Sequence, residues 1–95
     1  MIEPCRIAVV AGTGKGATAR QRLFGERVRA RRQELGITQE TLANCAGINR
    51  TYIGSLETGQ RNPSLETIAR LAIALSADAA ELVRGMQEVD GREGG

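Results

Sequence analysis

The sequence predicts an all-α fold: five short helices packed as one small domain, between an N-terminal arm and a brief C-terminal tail. Three observations lead there. From Gln21 onward apolar residues recur at helical spacing, in segments opened by capping side chains and mostly closed by glycine. The strand-like run Ile7-Ala8-Val9-Val10-Ala11 has no partner run to pair with, and a lone five-residue strand is marginal. A chain of 95 residues, 41% hydrophobic and 2% aromatic, has material for one modest core.

Residues 1–20 read as an arm. They join the strand-prone run to a glycine-rich stretch around Gly12, Gly14, Lys15 and Gly16, an order that invites comparison with a phosphate-binding loop. The comparison fails. Such a loop needs a glycine five positions before the Gly-Lys pair and a serine or threonine after the lysine, and Val9 and Gly16 stand there. The anion nest and the magnesium hydroxyl are both missing, and so is the parallel sheet that usually supports them.

The first helix carries Phe24, Val28 and Leu35 on one face, with Gly36 as its stop. Thr38 caps the second, which turns Leu42, Ala43 and Ala46 inward before Gly47. Asn49 caps the third, about residues 49–58, with Tyr52, Ile53 and Leu56 as its stripe and Gly59 after it. Ser64 caps the fourth, whose Leu65, Ile68, Ala69, Leu71, Ala72 and Leu75 spread over more than one side, as in a central helix. Asp78 with Glu81 three residues on reads as the capping box of a short fifth helix bearing Leu82, Val83 and Met86. The helical domain therefore spans residues 21–86, and residues 87–95, with almost nothing to bury, read as a disordered tail.

Composition excludes several function classes. Histidine is absent and the cysteines are two, Cys5 and Cys45, too few soft ligands for a structural zinc and no imidazole for acid–base work. No enzyme activity and no cofactor are expected. No apolar run exceeds five residues, so neither a spanning helix nor a signal-peptide core is present, and a cytoplasmic location with reduced thiols is expected. A redox-sensing role for Cys45 has only a lone thiol behind it, with no neighbouring resolving cysteine. The net charge of +2 conceals an asymmetry. Residues 1–61 hold ten basic and five acidic groups, residues 62–95 three and six. Twelve of the thirteen basic residues are arginine, six of them between Arg20 and Arg32. Arginine's planar fork suits phosphates and guanine edges, although such a run is also what a solvated helix face looks like.

Two short helices joined by Ala46-Gly47-Ile48-Asn49 have the form of a helix-turn-helix: Gly47 permits positive φ, Ile48 plugs the angle and Ala43 allows close approach. Helical hairpins with glycine turns are common, so spacing alone leaves the function open. The residues themselves add more. The stretch Phe24-Gly25-Glu26-Arg27-Val28-Arg29, the run from Leu35-Gly36-Ile37-Thr38-Gln39-Glu40 to Thr41-Leu42-Ala43, Asn49-Arg50-Thr51-Tyr52-Ile53 and Gly59-Gln60-Arg61-Asn62-Pro63-Ser64-Leu65 resemble the lambda-repressor-like (XRE) helix-turn-helix family. The last two stretches are similar to those of restriction-modification controller proteins.

That resemblance implies a lambda-repressor-like domain whose third helix lies in the major groove. Arg50, Thr51 and Ser55 would then contact bases, Arg50 forking onto guanine O6 and N7 and Thr51 meeting a thymine. Gln39 would clamp a phosphate at the start of the second helix, with Arg61 and Asn62 on the backbone nearby. Arg32 and Glu57 occupy positions of a structural ion pair, and Arg20, Arg22 and Arg27 remain candidates for flanking phosphates. Gly54 is out of character for a contact-rich reading helix.

One such helix covers few base pairs, so a homodimer on a near-palindromic site of double-stranded DNA is expected, with Leu75, Leu82, Val83 and Met86 as the interface. The function expected is a sequence-specific transcriptional regulator. The alternative is an antitoxin-type protein that binds a protein partner through its arm or tail and autoregulates through the same helices, the strand-prone arm being the feature in its favour.

Overall fold

The computed structural model describes residues 18–89. The strand-prone and glycine-rich part of the arm and the end of the tail lie outside them. Among the described residues there are five α-helices and one 3-10 turn: α1 Ala19–Glu34, α2 Gln39–Ala46, α3 Arg50–Glu57, α4 Leu65–Ala74, α5 Ala79–Val83, then the 3-10 turn Met86–Glu88. No strand occurs among them.

Both edges of the helical domain differ from the expectation. Thr18 is the N-cap of α1 and accepts from the Gln21 amide at 3.1 Å, while Gln21 Oε1 accepts from the Thr18 amide at 3.3 Å. This reciprocal capping box sets the start two residues earlier than Gln21, because it satisfies donors that a later start would strand. At the other end Gly85, at φ +72°, breaks the chain after α5, so Met86 belongs to the 3-10 turn and Gln87 and Glu88 are ordered with it. Asp78 does cap α5, through the Ala80 amide at 2.9 Å.

The core is formed by Phe24 and Val28 of α1, Leu42, Ala43 and Ala46 of α2, Ile53 and Leu56 of α3, Leu71 and Ala72 of α4 and, beyond them, Leu75 and Leu82. In α1, α2 and α3 these residues stand three or four apart, as do Leu71 and Ala72 of α4 from the C-cap Leu75, as burying one face requires. Leu35 does not join them. It is the C-cap residue of α1, 39% exposed, seven residues beyond Val28, the last buried residue of that helix. Helix α4 likewise buries one side only: Leu65 and Ile73 are exposed at 84% and 78%.

The arginine run of α1 has a structural task that its sequence conceals. Arg31 donates from Nε to the Leu75 carbonyl at 2.9 Å and from Nη2 to the Ser76 carbonyl at 3.2 Å. Arg27 reaches the carbonyls of Glu81 and Leu82 at 3.4 and 3.3 Å, and Arg20 reaches that of Met86 at 3.1 Å. These carbonyls lie at the C-terminal ends of α4 and α5 and in the last turn, where a helix leaves acceptors without partners. Arg20 and Arg27 are therefore bound within the chain rather than held out for flanking phosphates.

Candidate nucleic-acid interface

The turn between α2 and α3 is built by three adjacent residues. Gly47 closes α2 at φ +71°, a conformation disfavoured for any side chain. The next amide, Ile48, donates back to the Ala43 carbonyl at 2.9 Å, and its side chain packs half-buried against the core. Asn49 Oδ1 then accepts from the amides of Thr51 and Tyr52 at 2.7 and 3.3 Å, opening α3. The two helices meet through the small, buried Ala43 and Ala46.

With Ile53, Leu56 and Glu57 buried, the opposite side of α3 faces outward. Arg50 and Thr51 are exposed and Ser55 is half-buried. Neither the Arg50 nor the Thr51 side chain has a hydrogen-bond or ionic partner among the described residues, which leaves both donor sets available. Beyond the helix, Arg61 and Asn62 are exposed in the loop leading to α4, and the Arg61 guanidinium lies 5.1 Å from the centre of the Tyr52 ring. That stacking holds a mobile side chain beside α3 while its donors stay open to solvent.

Under this surface lies an ion pair between α1 and α3. Arg32 donates to Glu57 twice, Nε to Oε2 at 2.6 Å and Nη2 to Oε1 at 3.0 Å, and its Nη1 donates to the Ile37 carbonyl at 2.9 Å. The Glu57 side chain is 2% exposed and that of Arg32 12%. The hydrogen bond to Glu57, aided by its charge, raises the Arg32 pKa above the ordinary arginine value against the opposing effect of burial. Since a raised pKa keeps the contribution intact at every pH below the unfolded value, this arginine adds no pH dependence near neutrality.

Gln39 opens α2, and its Nε2 donates to Glu57 Oε1 at 3.0 Å, which ties the amide to the buried carboxylate through one of its two N–H groups. Beside it, the first backbone N–H groups of α2, those of Gln39 and Glu40, are donors that a helix start leaves to a phosphate. Among the residues expected at a dimer interface, Leu75 and Leu82 are buried in the monomer, at 0% and 3%. They complete the core after α4 and within α5, so they are not available to a second copy. Val83 and Met86 are half-buried, and the most exposed large apolar side chains among the described residues are Leu65 and Ile73 on α4. Cys45 is exposed near the end of α2.

A helix-turn-helix family model matches residues 28–82, which include α2, the turn and α3. The chain belongs to the lambda-repressor-like (XRE-type) helix-turn-helix family. Its relatives in that family include control protein C.SmaI of Serratia marcescens, 41% identical over 61 residues that make up 64% of this chain and 73% of the relative. Among solved structures, the restriction-modification controller protein C.AhdI of Aeromonas hydrophila superposes with a TM-score of 0.66 at 47% identity, covering 67% of this chain and 97% of that one. The P22 c2 repressor, solved in complex with a synthetic operator, gives 0.61 at 34% identity over 65% of this chain and 94% of its own. The helix-turn-helix of this chain is thus one of a family of DNA-binding transcription regulators. No helix among its described residues is long and apolar enough to cross a membrane.

Gly54 is the one position of α3 without a side chain, half-buried on the flank toward Gln39 of α2, and it does not need glycine for conformation or space. A Cβ added there meets only the Gln39 amide, at 3.7 and 4.0 Å, ordinary contact distances. Gly54→Ala is therefore expected to raise stability by about 0.5–1 kcal/mol through helix propensity alone. A chemical denaturation midpoint that fell instead would show that the neighbouring amide cannot tolerate the methyl group.

Proposed function

We propose that the protein is a sequence-specific transcriptional regulator that binds a near-palindromic operator as a homodimer, with α3 in the major groove. The observation that carries this reading is the outer face of α3. Arg50 and Thr51 stand exposed and without intramolecular partners beside Ser55, while the inner face of the same helix is locked into the core. Arg50 reads a guanine through O6 and N7, and Thr51 and Ser55 read neighbouring bases. Arg61, Asn62 and the first amides of α2 take backbone phosphates, fixing register without reading sequence. The likeness to controller proteins and to a repressor solved on its operator supports this assignment.

A single eight-residue α3 touches few base pairs, so two copies are set about one DNA turn apart, 34–36 Å. Of the residues expected at the contact between copies, Val83 and Met86 remain, and the exposed Leu65 and Ile73 are further apolar groups on α4.

Selection of binding sites from a random duplex pool tests the reading. Wild-type protein is expected to enrich a two-fold-symmetric sequence and to lose affinity steeply with salt. Arg50→Ala is expected to cost about 1–3 kcal/mol per half-site and to relax preference at one guanine. Uniform weak binding with no enriched sequence would sink the proposal.

A further inference from the structure

Arg20, Arg27 and Arg31 lie on one stripe of α1. The second and third follow the first by seven and eleven residues, which places all three within about 40° of one another around the helix. Their carbonyl partners run in the opposite order along residues 75–86. Arg31 takes Leu75 and Ser76 just before α5, Arg27 takes Glu81 and Leu82 in its last turn, and Arg20 takes Met86 beyond it.

The stretch so held has little else to fix it. Helix α5 has five residues, too few to be stable alone, and buries only Leu82. Val83 follows the Leu82 carbonyl that Arg27 holds, and the carbonyl of Met86 is the one that Arg20 holds. Helix α1 is in turn tied to α3, by the two bonds from Arg32 to Glu57 and by the close approach at Gly25. It thus indexes the backbone beneath Val83 and Met86 against the helix that carries Arg50. The bond from Arg20 and one of the two from Arg27 are exposed, where water would serve the carbonyls nearly as well. What these arginines add is therefore position more than stability.

We propose that Arg20 and Arg27 are positioning residues of the dimer contact, which fix residues 81–86 to α1 and so set the half-site spacing that the dimer accepts. The inference rests on the reading of the protein as an operator-binding homodimer whose copies meet through Val83 and Met86. It adds to that reading a role for arginines that touch neither DNA nor the second copy.

The test uses the full chain as wild type, Arg20→Met, Arg27→Met and the double variant; methionine keeps an aliphatic stem and removes the donors. Thermal melts first give the folded fraction of each. Sedimentation equilibrium then measures dimerisation, and binding is compared on the selected operator and on versions with one base pair added or removed between half-sites. The double variant is expected to dimerise roughly 10-fold more weakly, the equivalent of ordering one loosened residue on association. It is expected to keep the base preferences within each half-site and to discriminate less than wild type against the altered spacings. Arg20→Met loses only an exposed bond, so it reports even if Arg27→Met folds poorly. A double variant with wild-type dimerisation and spacing preference would overturn the proposal, as would a loss that merely follows the unfolded fraction. Met86→Ser is expected to weaken the dimer, and an unaffected dimer would place the contact elsewhere and remove the ground of the inference. A wild-type protein that stays monomeric and selects no symmetric site would instead bring down the dimer reading itself.

Discussion

Glu57→Ala is expected to destabilise the domain by about 3–5 kcal/mol, because it strands the Arg32 guanidinium in a site with little access to water. Three donors converge on this carboxylate, two from α1 and one from α2, and it sits in the last turn of α3. Its loss therefore loosens the junction of all three helices. A domain of this size has about 5–10 kcal/mol to lose in all, so the variant should melt at least about 12 °C lower. Following the helical circular dichroism signal through urea and heat gives both quantities. The complementary variant, Arg32→Met with Glu57→Met, removes both charges at once and is expected to recover much of the loss. A single-variant cost below about 1 kcal/mol would mean that the pair is hydrated and contributes like a surface bridge.

Gly25→Ala should cost about 3 kcal/mol, the upper end of what overpacking a core exacts. A Cβ at this position would run into the Leu56 carbonyl oxygen and lie 2.9 Å from that of Glu57. Both obstacles are backbone atoms of α3, so no rotamer change can relieve the clash. Helix α1 would have to move away from α3, carrying Arg32 off Glu57 as it went. The same substitution at Gly54 is expected to be mildly stabilising, and the pair of measurements separates helix propensity from helix approach. Equal behaviour of the two alanine variants would contradict the close approach of α1 to the backbone of α3 at Gly25. Because α3 would tilt with the displaced contact, Gly25→Ala should also weaken operator binding under conditions where the protein is still folded.

Much of this architecture is legible along the chain because its causes are local. Thr38, Asn49 and Ser64 each place a side-chain oxygen within reach of the next two or three amides, and Gly36, Gly47 and Gly59 each adopt positive φ where a helix stops. A cap or a stop depends on a few consecutive residues, so it can be read from them. The outward placement of Arg50 and Thr51 follows from the same arithmetic, since the apolar stripe of Ile53 and Leu56 fixes which side of α3 is buried.

Other features were decided by contacts between residues far apart in sequence. Nothing near Arg27 or Arg31 distinguishes an arginine that meets a phosphate from one that reaches a carbonyl 44 or 55 residues further on. Gly25 looks like an ordinary helix interruption until the close approach of α1 to α3 is known. Leu75 and Leu82 appear spare when the core is counted along the chain, but the short α5 folds back and uses them. Gln39 reads as a free amide at a helix start, and only the fold ties one of its N–H groups to the buried Glu57. The sequence by itself determined the helices, the caps and stops of the inner ones and the family, because periodicity, capping and motif are local properties. The tertiary structure decided which charges are spent holding the molecule together and which face outward. That division depends on where distant carbonyls, carboxylates and helix surfaces come to rest, and no single stretch of sequence contains it.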